Sequence, residues 1–245
     1  MFYRLSAIST RKCTPACEIK SASVSKARVC FNRLPFYRAV LLITLSICSL
    51  LPAKSFAQLY KLDRTTEQEL SEDRKTWETK TCRFFSNSTN DISLAVPLSL
   101  FVAGAIMNNN DLKKNALIAT ESLALSTAIT FALKNTIKRP RPYTQDSLII
   151  KAGMGGGYSF PSGHTSEAFS VATSLSLAYP KWYVVIPSYL WAGWVAYSRM
   201  YLGVHYPSDI LGGAIVGGGS AFLMYKINNW MARKNGHKPL TAFIY

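Results

Sequence analysis

The chain has 245 residues, 49% of them hydrophobic, and a mean hydropathy of +0.09. That is too apolar for an ordinary soluble domain and too polar for a bare membrane bundle, so part of the length must be solvated. The net charge of +15 is spread over several short stretches, which argues against nucleic acid as a partner and for an anionic membrane surface or a phosphorylated substrate.

Residues 1–38 carry eight basic side chains against one acid, Glu18, and Ala39 to Leu51 is an apolar run of thirteen. A basic region, a short apolar core and the small-residue ending Pro52-Ala-Lys-Ser-Phe-Ala57 predict a secretory signal over 1–57, cleaved after Ala57. Leu34 to Ala57 as an uncleaved anchor is the alternative. Four of the five cysteines (Cys13, Cys17, Cys30 and Cys48) fall in this leader. Cys82 is left without an intramolecular partner, and Cys13-x3-Cys17 has no nearby His to make a metal site. Residues 58–91 are polar and mixed in charge, with no apolar stripe wide enough for a core. They read as a solvated external segment, with an amphipathic helix over Leu59 to Arg83 as the other reading.

Five apolar runs follow: Ile92–Met107, Ala116–Leu133, Thr165–Tyr179, Tyr183–Tyr197 and Ile210–Tyr225. The fold class expected is all-α: a membrane bundle of five core helices over 92–230, preceded by the signal or anchor helix and followed by a basic tail over 231–245. Each run is slightly short of an ordinary span, and a compact soluble bundle is the competing architecture. The series Gly212-Gly-Ala, Gly217-Gly-Gly and Ala221 suits close helix–helix contact. If each run crosses once, Lys113, Lys114, Lys181, Lys226, Arg233, Lys234 and Lys238 gather on one side and the chemistry-bearing motifs on the other. The positive-inside tendency then places the C-terminus in the cytoplasm and the motifs outside, facing the periplasm of a bacterial-type envelope. Glu121 interrupts the second run, and a hydrogen bond to a neighbouring helix is its simplest explanation.

Three polar clusters stand out from this frame. In Lys134-Asn-Thr-Ile-Lys-Arg-Pro-Arg141-Pro142, the prolines end a helix near Arg139. Lys134 is thereby left on its last turn and Arg141 on an extended segment. A point charge and a planar fork at this spacing suit a phosphate, although a cationic helix end against the dipole explains Lys134 equally well. In Tyr158-Ser-Phe-Pro-Ser162-Gly163-His164-Thr165, a helix begins at once and offers free N–H groups to an anion. Gly163 permits close backbone approach there, and Ser162 adds a hydroxyl. Lys151 and Gly153 to Gly157 form the approach, either admitting a headgroup or closing a loop. In Ser198-Arg199-x5-His205-x3-Asp209, the carboxylate lies four residues beyond the imidazole, across the start of a helix opened by Pro207. It can fix one ring nitrogen as donor and leave the other as nucleophile.

Together, Lys134-x6-Arg141-Pro142, Pro161-Ser-Gly-His164 and Ser198-Arg199-x5-His205-x3-Asp209 resemble the three motifs of the type 2 phosphatidic acid phosphatase superfamily, over about residues 120–226. The resemblance implies a phosphatase in which His205 forms a phosphohistidine, Asp209 orients its ring, and His164 protonates the leaving alkoxide and then activates water. It further implies that Lys134, Arg141, Ser162, Gly163 and Arg199 hold the phosphate oxygens and that no metal or other cofactor takes part. The expected substrate is a lipid phosphate or pyrophosphate in the membrane. A soluble periplasmic acid phosphatase is the alternative, a vanadium haloperoxidase a more distant one. A non-catalytic headgroup binder would need the cations but not both histidines.

Overall fold

The computed structural model describes residues 53–235. The leader up to residue 52, with its four cysteines, and the tail beyond 235 lie outside the described residues. Within that range the chain is helical: α1 Ala53–Glu72, α2 Thr76–Asn87, α3 Thr89–Ile106, α4 Asn110–Ile137, the single turn α5 Pro142–Gln145, α6 Gly163–Ala178, α7 Trp182–Tyr201 and α8 Pro207–Lys234.

The five apolar runs become α3, α4, α6, α7 and α8, but α4 and α8 extend to 28 residues each, about 42 Å at 1.5 Å per residue. Capping accounts for the extra length. The Asn109 side chain accepts from the backbone N–H groups of Asp111 and Leu112 at 3.0 and 3.2 Å, which starts α4 before its apolar part begins. Lys138 ends it in the left-handed region at φ 51°, two residues before Pro140. By length and composition, α3, α4 (with the α5 turn) and α8 are long and apolar enough to cross a membrane. Their outer faces agree: Leu94, Leu98 and Phe101 on α3 and Leu211, Ile215 and Phe222 on α8 are exposed at helical spacing.

Helix α6 has 16 residues and packs against α3, α4, α7 and α8, so its Ser-rich surface meets other helices. Ser166, Ser170 and Ser174 are buried. Ser126 and Ser166 join α4 to α6 through hydroxyls 2.5 Å apart, and Thr130 donates to Ser166 at 3.1 Å. Hydroxyl pairs and small side chains let these helices approach closely.

The crossing of α8 over α6 depends on glycine. A Cβ at Gly217 would lie 2.1 Å from the Ser166 carbonyl oxygen, and one at Gly213 would lie 2.7 Å from that of Ser162. Because the obstacle is backbone, Gly217→Ala must push the helices apart. It is expected to lower the melting temperature in detergent by the equivalent of ~1–3 kcal/mol or more, the usual cost of overpacking. Gly219→Ala, where a Cβ meets nothing within 4 Å, serves as the control and leaves the melting temperature unchanged. The Glu121 reading holds: Asn228 Nδ2 on α8 donates to its carboxylate at 2.8 Å.

Residues 58–91 are more than a solvated surface. Helix α2 packs on α7, and Cys82, a free thiol, joins Tyr201, Leu202 and Val204 in a small apolar cluster. Helix α1 is held by polar side chains: Arg64 and Gln68 both donate to Asp146 at 2.7 Å. Ser71 accepts from the Ile150 N–H at 3.0 Å, and Asp63 reaches the start of α8. No apolar period announces such an attachment, which is why the sequence reads as solvated.

Candidate active site

Three chain segments meet at one end of the bundle: the 138–141 turn after α4, the 158–164 turn into α6, and the 202–209 turn between α7 and α8. Backbone bonds tie them together. The Ser159 N–H donates to the Arg139 carbonyl at 2.7 Å and the Ser162 N–H to the Asp209 carbonyl at 3.0 Å.

His205 lies at the bottom, 1% exposed. Arg141 Nη1 stands 3.2 Å from its Nε2. A guanidinium only donates, so Nε2 is the acceptor and the ring proton belongs on Nδ1. Nδ1 faces Asp209 Oδ2 at 3.6 Å and Ser159 Oγ at 3.5 Å, approaches longer than a formed hydrogen bond. Burial lowers the imidazole to about 3; the nearby Asp209 carboxylate opposes the shift, and Arg199 and Arg141 add to it. The ring is therefore neutral near pH 7, with its lone pair on the nitrogen that faces the cations.

Asp209, fully buried, is fixed by more partners than the motif implies. Its Oδ2 accepts from the Tyr206 N–H at 3.0 Å, which caps the first turn of α8, and from the Ser159 hydroxyl. Its Oδ1 accepts from Arg139 Nη1 at 2.7 Å.

The cations around His205 are held by loop carbonyls. Arg141, 5% exposed, donates to Val204 and Gly156 at 2.8 Å and to Gly157 at 3.1 Å. Arg199, 2% exposed, donates to Met154 at 2.9 Å and to the Ser86 hydroxyl of α2. Lys134 donates to Tyr158 at 2.8 Å. The glycine stretch 153–157 is thus an internal set of acceptors for the groups that an anion would engage. Gly155 permits it: a Cβ there would lie 2.8 Å from Arg141 Nη1.

His164, half-buried on the first turn of α6, lies within electrostatic reach of Arg199, Arg141 and Lys134. Ser162 is the N-cap of α6, yet its side chain makes no capping bond; it accepts from Thr165 Oγ1 at 3.0 Å. Gly163 has room around it, the nearest atom to a Cβ being Thr130 Cγ2 at 3.9 Å.

The structure thus gathers all eight residues singled out from sequence in one region, and adds four that were not: Ser159, Arg139, Tyr206 and Asp63. Ser159 and Arg139 lie inside the stretches already read as motifs, but nothing in their spacing marks a carboxylate partner. Among the described residues no group of three or more His, Cys, Asp or Glu side chains is placed to hold a metal ion.

A helical bundle that closes on two histidines, a buried aspartate and three cations defines a class. Residues 115–233 match the PAP2 superfamily. Solved structures share the fold over more of the length. A transmembrane PAP2 type phosphatidylglycerolphosphate phosphatase from Bacillus subtilis superposes with a TM-score of 0.61 at 22% identity, covering 82% of this chain and 98% of that one. LpxE of Aquifex aeolicus gives 0.60 at 24% identity, covering 67% and 95%. Among curated proteins, the lipid A 4'-phosphatase of Bacteroides thetaiotaomicron is 36% identical over 118 residues, 43% of this chain and 52% of that one. The undecaprenyl-diphosphatase of Sulfolobus acidocaldarius is 39% identical over 72 residues, 29% and 34% of the two chains. The match thus spans about half the length, or less, of these curated relatives.

Proposed function

We propose that the protein hydrolyses phosphate or pyrophosphate monoesters of membrane lipids at the outer face of the inner membrane, through a phosphohistidine on His205. The observation that carries this reading is the state of His205: buried, neutral, with its acceptor nitrogen turned to Arg141 and its other nitrogen backed by Asp209. An imidazole so placed attacks phosphorus through Nε2. Arg141, Arg199 and Lys134, together with Ser162 and the free N–H groups at Gly163, balance the charge on the three equatorial oxygens. To admit the phosphoryl group, Arg141 exchanges its loop carbonyls for phosphate oxygens.

The membrane as the substrate's home is supported by the apolar outer faces of α3 and α8. The substrate class is supported by the names of relatives, which include lipid A phosphatases and undecaprenyl-diphosphatases. The outward orientation is supported by charge: away from the motifs, the start of α4 carries Lys113 and Lys114, the connector before α7 carries Lys181, and the end of α8 carries Arg233 and Lys234.

The deciding experiment is phosphate release by the detergent-solubilised full chain from lipid A, undecaprenyl diphosphate, phosphatidic acid and phosphatidylglycerol phosphate. Absence of release from all four would remove this reading. Vanadate, which adopts the trigonal-bipyramidal geometry of the transferring phosphoryl group, is expected to inhibit competitively, because a site built for that geometry binds its mimic more tightly than the substrate. Activity unaffected by millimolar vanadate would count against the pocket.

A further inference from the structure

We propose that Asp63, on α1 outside the motif-bearing bundle, is a positioning residue for the reaction. It holds Arg139, and through Arg139 the Asp209 carboxylate, against His205. The inference rests on the hydrolytic reading above and adds a residue to it that none of the three motifs contains.

The geometry is a relay. Asp63 is 1% exposed. Its Oδ2 accepts from Arg139 Nη2 at 2.7 Å and from the Ser208 hydroxyl, while its Oδ1 accepts from the Ser208 N–H at 3.0 Å. The other arm of the same guanidinium donates to Asp209 Oδ1 at 2.7 Å and to Ser208 Oγ at 2.6 Å. Its face lies 4.2 Å from the centroid of the Tyr206 ring. One planar cation is thus pinned between two buried carboxylates, one behind the catalytic histidine and one on a separate helix.

Two physical consequences follow. A free arginine has a flexible stem, and without the second carboxylate Arg139 can close both arms on Asp209 and draw it from the 3.6 Å approach to His205. Charge is the other. As Nε2 forms its bond to phosphorus, the His205 ring becomes cationic and needs negative charge behind it. Asp209 paired with Arg139 alone is neutral; with Asp63 the trio carries one net negative charge. Glu67, one turn along α1, does not supply it. It is fully buried, neither oxygen has a hydrogen-bond partner among the described residues, and burial raises it to about 9, with Arg74 opposing and Asp209 and Asp63 adding. Glu67 is therefore neutral, whereas both Asp63 oxygens accept from the donors of Arg139 and Ser208.

The test compares Asp63→Asn, Asp63→Glu, Arg139→Ala and the double variant Asp63→Asn/Arg139→Ala in the full chain. The readouts are kcat and KM for whichever lipid phosphate the wild type hydrolyses, with thermal unfolding alongside. Asn preserves the size and the acceptor for Ser208 but removes the charge. Asp63→Asn is expected to lower kcat about ten- to hundredfold with KM within about twofold, and the double variant to be no worse than Arg139→Ala alone, the non-additivity of residues that act through one another. Asp63→Glu should recover part of the loss. Wild-type kcat in a folded Asp63→Asn protein, a loss seen only in melting temperature, or full additivity in the double variant would each overturn the proposal while leaving the hydrolytic reading intact. A wild type that releases no phosphate would instead remove both.

Discussion

Replacing His205 with alanine is expected to abolish turnover, with a fall in kcat on the order of 10⁴-fold or more, because the variant has lost the atom that would bond to phosphorus. Folding should survive the change. His205 sits in the turn between α7 and α8, which is held by backbone bonds such as Val204 N–H to Arg199 O at 3.3 Å and Gly203 N–H to Met200 O at 2.7 Å. Removing the ring also removes a neutral group from among cations, so electrostatics do not penalise the change. Arg141 keeps its bonds to Val204 and Gly156. The variant is therefore expected to bind substrate with an affinity close to wild type while releasing no phosphate, and to bind vanadate more weakly, because the nitrogen that would complete its trigonal bipyramid is gone. Acid-labile phosphate on the protein after rapid quenching should be present in the wild type and absent in His205→Ala. Full activity in the variant, or label retained on another residue, would end the assignment of the nucleophile.

How much of this was legible in the sequence depends on how far apart the partners lie. Helices α3, α4, α6, α7 and α8 were legible as apolar runs, because burial in a bundle or in lipid acts along the whole of a helix and leaves a continuous trace, whereas the polar α1 and α2 left none. The prolines already marked the end of α4 near Arg139 and the start of α8 at Pro207, whereas the start of α4 was set by the Asn109 cap, which apolarity does not register. The eight site residues were legible because chemistry of this kind fixes residue types within short stretches, such as His205-x3-Asp209 across one turn. Asp63 was not. It meets Ser208 across 145 positions of chain, and a lone acid on a mixed-charge helix looks the same whether it faces water or a buried arginine. Arg139 and Ser159 show the intermediate case: both were in view, but their role requires knowing that Asp209 turns one oxygen to each.

His164→Ala is expected to cost about 10²- to 10⁴-fold in turnover of lipid phosphates, the usual range for losing a general acid or base, and the way that loss divides identifies its role. On the proposed reaction the ring acts twice: it protonates the alkoxide leaving group, then takes a proton from the water that attacks the phosphohistidine. The position fits both duties. His164 is half-buried on the first turn of α6 and still reached by solvent, whereas His205 is buried. An aryl phosphate, whose phenolate needs little protonation to leave, separates the steps. With it, His164→Ala should phosphorylate His205 at a rate near wild type and then stall. A burst of one phenol per enzyme is expected, with phosphoprotein accumulating, whereas with an alkyl lipid phosphate both burst and phosphoprotein should be lost. If the variant showed no burst with either substrate, His164 would be serving the first step through binding and not through proton transfer. If it turned over both at wild-type rate, neither proton would belong to it.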